Sequence, residues 1–233
     1  YSGNPFPYLY TYKGAVRNIK PIADALAGIG MVSTVPEIDG VVRRVPLFVR
    51  VGEKVIYPSL PMEILRVLVG SKSAQIKTEA AGISKVRVRG FPIVNTDSHA
   101  RIWIDYSTNI ERNVDVKGKI VLVGLTAEGL TQTVPTPFGP KDIHEVNAKT
   151  LSTILTGTSI QRYDFANLAE LLLILGIGIL IIVIAPRVSV KWTIPVMLLF
   201  VSGTAYGGFF AFVERNELWD VSYPLFAILI LYL

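Results

Sequence analysis

The chain has 233 residues, 51% of them hydrophobic and only 18% charged, with a mean hydropathy of +0.46. A wholly water-soluble domain rarely averages so apolar, so part of the chain is expected in lipid. The formal charge of +5 includes no basic run interleaved with aromatics, which argues against nucleic acid as a partner, and the lack of cysteine excludes disulfides, thiolate metal sites and cysteine nucleophiles.

In chain order, "IKPIADALAG" (19–28) predicts a first helix, with Pro21 in its first turn and Ile19, Ile22, Ala23 and Leu26 on one face. "DGVVRRVPLFVRV" (39–51) reads as a turn at Asp39-Gly40 feeding a strand, and "VGEKV" (51–55) as the next turn. "YPSLPMEILRVLVG" (57–70) predicts a second helix closed by Gly70. A polar link at 71–80 precedes two strands, "ISKVRVRGFPIV" and "RIWIDY", around the turn "NTDSHA". Val86 and Val88 alternate with Lys85, Arg87 and Arg89, and Ile102 and Ile104 with Arg101, Trp103 and Asp105. Lys119 to Gly124 is the most apolar strand and is expected at the centre of the sheet. "DIHEVNAKTLSTIL" (142–155) predicts a third helix ending at Gly157. The alternation predicts a mixed-sheet α/β domain over residues 1–160.

Three apolar stretches follow at about 166–185, 192–213 and 221–233. The first two have the ~20 apolar residues that a membrane-spanning helix needs, and the third reads as the first part of another span. The connection at 186–191 carries Arg187 and Lys191 and no acid, whereas that at 214–220 carries Arg215 against Glu214, Glu217 and Asp220. The positive-inside rule therefore places the first connection in the cytoplasm and the domain over 1–160 outside the membrane. Trp192 and Trp219 mark span ends, and Glu170 reads as an interfacial carboxylate reaching for water. Gly203, Thr204, Gly207 and Gly208 supply small residues suited to close helix approach. The chain opens on Tyr1 without a leader, so a targeting or first membrane segment is expected upstream.

Chemistry is sparse. "GKIVLVGLTAEGL" (118–130) fits neither the dinucleotide glycine pattern nor a phosphate-binding loop, so its turn at Gly124 and Thr126 reads as one wall of a crevice at the carboxyl end of a strand. In "DIHE", Asp142, His144 and Glu145 lack the i, i+4 histidine of a helical metal site, and acids at a helix start suit its dipole. No nucleophile elbow is present, and Ser59 reads as a helix-terminus serine. No catalytic residue, metal or cofactor is expected in this chain.

The order "DGVVRR.PL", "YPSL..E.LR", "GKIVLVG.TA.GL" and "TPFG", then a helix opening on "IH" and close-set apolar spans, resembles the CHASE domain of the second type. Asp39, Gly40, Arg43, Arg44, Tyr57, Ser59, Glu63, Arg66, Gly124, Thr126 and Gly129 fall on that pattern. The resemblance implies an extracytoplasmic sensor of a bacterial signalling protein, multi-pass in the inner membrane. It further implies a homodimer and a cytoplasmic output outside this chain, most often an adenylate or guanylate cyclase and otherwise a sensor kinase. Arg43, Arg44, Tyr57, Ser59, Gly124 and Thr126 are the expected ligand-binding positions. The rival reading is an envelope interaction or dimerisation module without a small ligand. A pocket beside Gly124 would favour the sensor, and a flat apolar patch there the interaction role.

Overall fold

The computed structural model describes residues 1–107, 115–127, 129–163, 165–184, 187 and 190–232. The chain divides into two compact units, Tyr1–Ser159 and Ile160–Leu233.

In the first unit the elements are β1 (Thr11–Tyr12), α1 (Lys20–Ala25), β2 (Arg44–Pro46), β3 (Phe48–Val51), β4 (Val55–Pro58), α2 (Leu60–Leu68), β5 (Ala74–Glu79), β6 (Gly82–Val88), β7 (Val94–Asn95), β8 (Arg101–Trp103), β9 (Thr133–Thr136), β10 (Gly139–Asp142) and α3 (Ile143–Thr156). The strands form four small sheets, β1-β3-β4, β2-β8, β5-β6-β7 and β9-β10, in place of the single mixed sheet expected from the sequence. Prolines are one reason the ladders stay short: Pro46 ends β2, Pro58 ends β4 and Pro135 lies within β9, each without an N–H to donate. The predicted strand after Asp39-Gly40 is split at Leu47, so that β2 pairs with β8 while β3 pairs in parallel with β1 and antiparallel with β4. Leu47 joins the sheets through the backbone, donating to Ala100 O at 2.8 Å and accepting from Ser59 N at 2.9 Å.

The predicted alternation is observed where ladders form. Val86, Val88, Ile102 and Ile104 are buried, and Lys85 and Arg87 exposed. They join Leu9, Leu47, Phe48, Met62, Leu65, Ile76, Ile83, Leu151 and Ile154 in the main core, except Ile104, which packs with Val42, Val45, Val134 and Val146. Burial of such side chains, at roughly 25 cal/mol per Å² of apolar surface, is the main force holding the unit together.

Three further expectations are corrected, and one hairpin was not expected. The link at 71–80 contains β5, antiparallel to β6; its inward positions Ala74, Ile76 and Thr78 carry only one large apolar side chain, too weak a signal to read as a strand. The β9–β10 hairpin had no counterpart in the sequence reading. Helix α1 forms with Pro21 in its first turn, but no residue of it is buried: Ile22 and the flanking Ile19 and Leu26 stay exposed, and the helix ends before Gly28. Residues 119–124 form no ladder among the described residues, and only Leu122 packs against the core. An apolar run specifies a preference for burial but not the neighbour that supplies it.

Helix α3 ends as predicted at Gly157, which adopts φ 69°, the left-handed conformation that glycine allows without steric cost. In the second unit, α4 (Ala166–Ile184) and α5 (Val190–Arg215) are both long and apolar enough to cross a membrane, and α6 (Ser222–Tyr232) is an apolar helix of 11 residues. Glu170 does not reach for water. It is buried, accepting from Arg162 Nη2 at 3.0 Å and from the Asp220 backbone N–H at 2.7 Å. Gln161 and Glu217 form a parallel bridge beside it, so the polar groups gather at one end of the helices.

Candidate functional site

A cavity of about 520 Å³ opens beside α2 in the first unit. That volume lies within the range of small-molecule sites, roughly 300–1,000 Å³. Its walls come from four places: the β3–β4 hairpin with its turn, helix α2, the lead into β5, and the amino-terminal residues Tyr1 and Phe6.

Local sequence explains why α2 is presented here. Ser59 precedes the helix in an extended conformation and its carbonyl accepts from Glu63 N at 2.9 Å. Its side-chain oxygen is fully buried and has no hydrogen-bond partner among the described residues. Glu63, in the first turn, favours the positive end of the helix dipole. Arg66 grips the same carboxylate with two bonds, 2.8 Å from Nε and 2.5 Å from Nη2, and donates from Nη1 to Ser71 O at 2.8 Å. The segment around Met31 runs against the start of α2, with Met31 N bonded to Pro58 O at 2.9 Å and Leu60 N to Met31 O at 2.7 Å. Gly28 and Gly30 permit this approach, because a Cβ at either would collide with Glu63 or Leu60. The cavity floor is apolar, with Phe48, Met62 and Ile76 all buried, while Lys54 and Lys72 stand exposed at its edge.

A second polar centre lies around Arg44. Its guanidinium donates to both Glu37 oxygens at 2.6 and 2.7 Å and to Asp97 at 3.0 Å, and it stacks 4.8 Å from the Trp103 ring centre. Arg101 donates to Asp97 at 2.7 Å. Asp97 also accepts from the backbone N–H groups of His99 and Arg101, fixing the turn in which Ala100 adopts φ 61°. The hydrogen bond from Arg44, together with its charge, holds the Glu37 carboxyl below the usual carboxylate range despite partial burial. This centre binds charges to each other and leaves little for a ligand.

The CHASE2 domain family matches residues 8–184, more than half of the chain. The chain belongs to the CHASE2 domain family. CHASE2 is an extracellular sensory domain family, so a sensory role follows for this domain. The match runs to the last residue of α4. No curated protein and no solved structure shows significant similarity to the chain.

The expected ligand positions of this CHASE2 domain lie in several places. Tyr57 lines the cavity beside α2, and its hydroxyl accepts from Arg17, whose guanidinium also lies 5.4 Å from the ring centre. Ser59 is one helix turn from Met62 and Glu63 but buried behind the lining. Arg43 is partly exposed and donates to both Asp39 oxygens at 3.0 and 2.7 Å, and Arg44 belongs to the polar centre already described. Gly124 lies against the His144 ring at the start of α3, where a Cβ would collide with the imidazole, and Thr126 is exposed. Beside Gly124, Val121, Val123 and Leu125 are exposed by 55%, 92% and 67%, an apolar strip.

Sequence reasoning did not find Lys54, Lys72, Phe48 or Ala74 as cavity residues. No local motif joins them; the hairpin and α2 bring them together. Among the described residues no three His, Cys, Asp or Glu side chains group to hold a metal. Asp142 accepts from Thr131 at 3.1 Å and Glu145 lies 3.7 Å from Lys141.

Proposed function

We propose that this chain is the sensor and membrane module of a bacterial multi-pass inner-membrane receptor. The first unit lies outside the membrane and, as a homodimer, regulates a cytoplasmic output domain, a nucleotide cyclase. The family match carries this reading, supported by two spanning-length helices after the domain and by the basic connection between them. The third span belongs to the same proposal, with the apolar helix α6 within it.

The fold offers a route for the signal. The cavity is built on α2, α2 packs against α3, and residues 157–165 lead from α3 into α4. A ligand that prefers one placement of α2 would bias the placement of α3. It could do so only by its difference in affinity for the two placements. The test compares the output of the full-length receptor in proteoliposomes with that of a version lacking residues 1–159. A change in basal or regulated output is expected, and equal output under all conditions would contradict a sensory role.

The exposed strip beside Gly124 favours a second reading, in which that face binds a protein. Val123→Asp would then weaken association of the full-length protein without lowering its thermal stability; unchanged association would remove this reading.

A further inference from the structure

We propose that the cavity beside α2 takes a small, water-soluble organic anion with an apolar or aromatic body. The assignment deepens, and rests on, the sensory reading above.

Shape and charge point the same way. The cavity has an apolar floor of Phe48, Met62 and Ile76, extended by Ile56 and the Phe6 ring, which suits a hydrocarbon or aromatic body. Its charged lining consists of Lys54, Arg66 and Lys72 against one carboxylate, Glu63. Arg66 already neutralises Glu63 through two hydrogen bonds and spends a third donor on Ser71 O. The net charge offered to a ligand is therefore that of Lys54 and Lys72, neither of which is in an ion pair among the described residues. An ammonium on a flexible stem at the edge of an apolar cavity draws an anionic head while the body displaces water from the floor. A cationic ligand would meet two like charges, and a neutral one would gain nothing from them. Tyr57 adds a hydroxyl on the hairpin side of the same cavity.

The position also gives the ligand something to move. Met62, Glu63 and Arg66 lie on α2, and the facing wall belongs to the hairpin and to the lead into β5. Closing the lysines on an anion would draw the hairpin turn and the β5 lead towards one another across α2, the helix that packs on α3.

The experiment uses the 233-residue chain in phosphatidylcholine nanodiscs, titrated calorimetrically with three probes of one shape: 3-phenylpropanoate, 3-phenylpropanamide and 2-phenylethylammonium. Two solvent-screened cations should favour the carboxylate over the amide by about threefold to tenfold, and the ammonium should bind most weakly. The exposed-site variant Lys54→Gln/Lys72→Gln should bind carboxylate and amide equally, and Lys54→Glu/Lys72→Glu should favour the ammonium. Absence of carboxylate binding, equal affinities in the unmodified chain, or a preference that survives the neutral variant would overturn the assignment. Loss of this binding preference, with output still altered by removal of residues 1–159, would remove the ligand class and leave the sensory reading standing. The preference holding while that deletion is silent would keep the site and remove its regulatory role.

Discussion

Leu47 and Leu171 carry the same side chain into opposite settings. Leu47 is fully buried at the junction of two small sheets, whereas Leu171, on α4, is 52% exposed. The contrast extends across the two units. Val42, Val45, Val86 and Ile102 disappear into cores, while Ile179, Ile182, Leu199 and Phe209 point outward along helices with almost no charge. Exposed aliphatic rows of that density are unfavourable in water and match the length and composition of membrane-crossing helices.

Polar groups show the complementary difference. In the first unit, carboxylates and guanidiniums form networks at the edge of the sheets, with Arg44 held by Glu37 and Asp97. In the second, Glu170 is the only charged residue of α4, and it is satisfied on both oxygens by Arg162 and the Asp220 backbone. Arg162 also reaches Asn167 at 2.7 Å and Leu218 O at 3.3 Å. A carboxylate that cannot rely on water needs such partners, which is why the charges of this unit collect at helix ends.

The sharpest way to test the contrast is a matched pair of truncations. Ile102→Ala, at a 1% exposed site, should destabilise the first unit by about 2–5 kcal/mol. Leu171→Ala should cost far less, because no packed core surrounds it. Hydrogen exchange of the β6, β8 and α4 amides in the same sample reads both; equal losses would break the comparison. A second pair exchanges charge for apolar surface at equal exposure. Val55→Arg, on the hairpin at 49% exposed, should be near neutral, whereas Leu175→Arg, 52% exposed on α4, should oppose membrane insertion by roughly 2.5–3.5 kcal/mol. Alkaline extraction of membranes measures the inserted fraction, and a neutral Leu175→Arg would contradict a lipid-facing helix.

The smallest effect concerns the polar network. Arg44→Met should cost about 1–2 kcal/mol at neutral pH, since both partners of the Arg44–Glu37 pair are about one-fifth exposed and solvent screens the interaction. The folded-state pKa of Glu37 is lowered, so its contribution is present above the ordinary carboxylate pKa and disappears as pH falls through the lowered value. The unmodified chain should therefore lose stability on acidification below about pH 5, and Arg44→Met should lose less of it there. Thermal melts across that range measure the difference; identical acid slopes would show that Arg44 does not hold Glu37.

Much of this was legible in the sequence because local rules carried it. The alternation around Val86 and Ile102, the left-handed stop at Gly157 and the proline start of α1 are local effects that a sequence displays directly. The run 119–124 was misleading for a physical reason. Its side chains signal burial, but a ladder depends on a partner strand remote in sequence, and here only Leu122 finds the core. The cavity was visible only at Tyr57, since Lys54 and Lys72 become neighbours of one site only after the hairpin and α2 fold. Arg43 and Arg44, conspicuous as a pair, turned out to be matched by acids close in sequence, Asp39 and Glu37.

The account turns on the first unit lying in water outside the membrane and the second crossing it. Because the chain has no cysteine, single thiols can be placed at will. Glu53→Cys in the β3–β4 turn, Lys191→Cys between the first two spans and Glu214→Cys after the second would each be treated with a membrane-impermeant maleimide in intact spheroplasts. The account predicts labelling at positions 53 and 214 from outside, and at 191 only after the membrane is opened. Labelling of position 191 in intact spheroplasts, or protection of position 53, would contradict it.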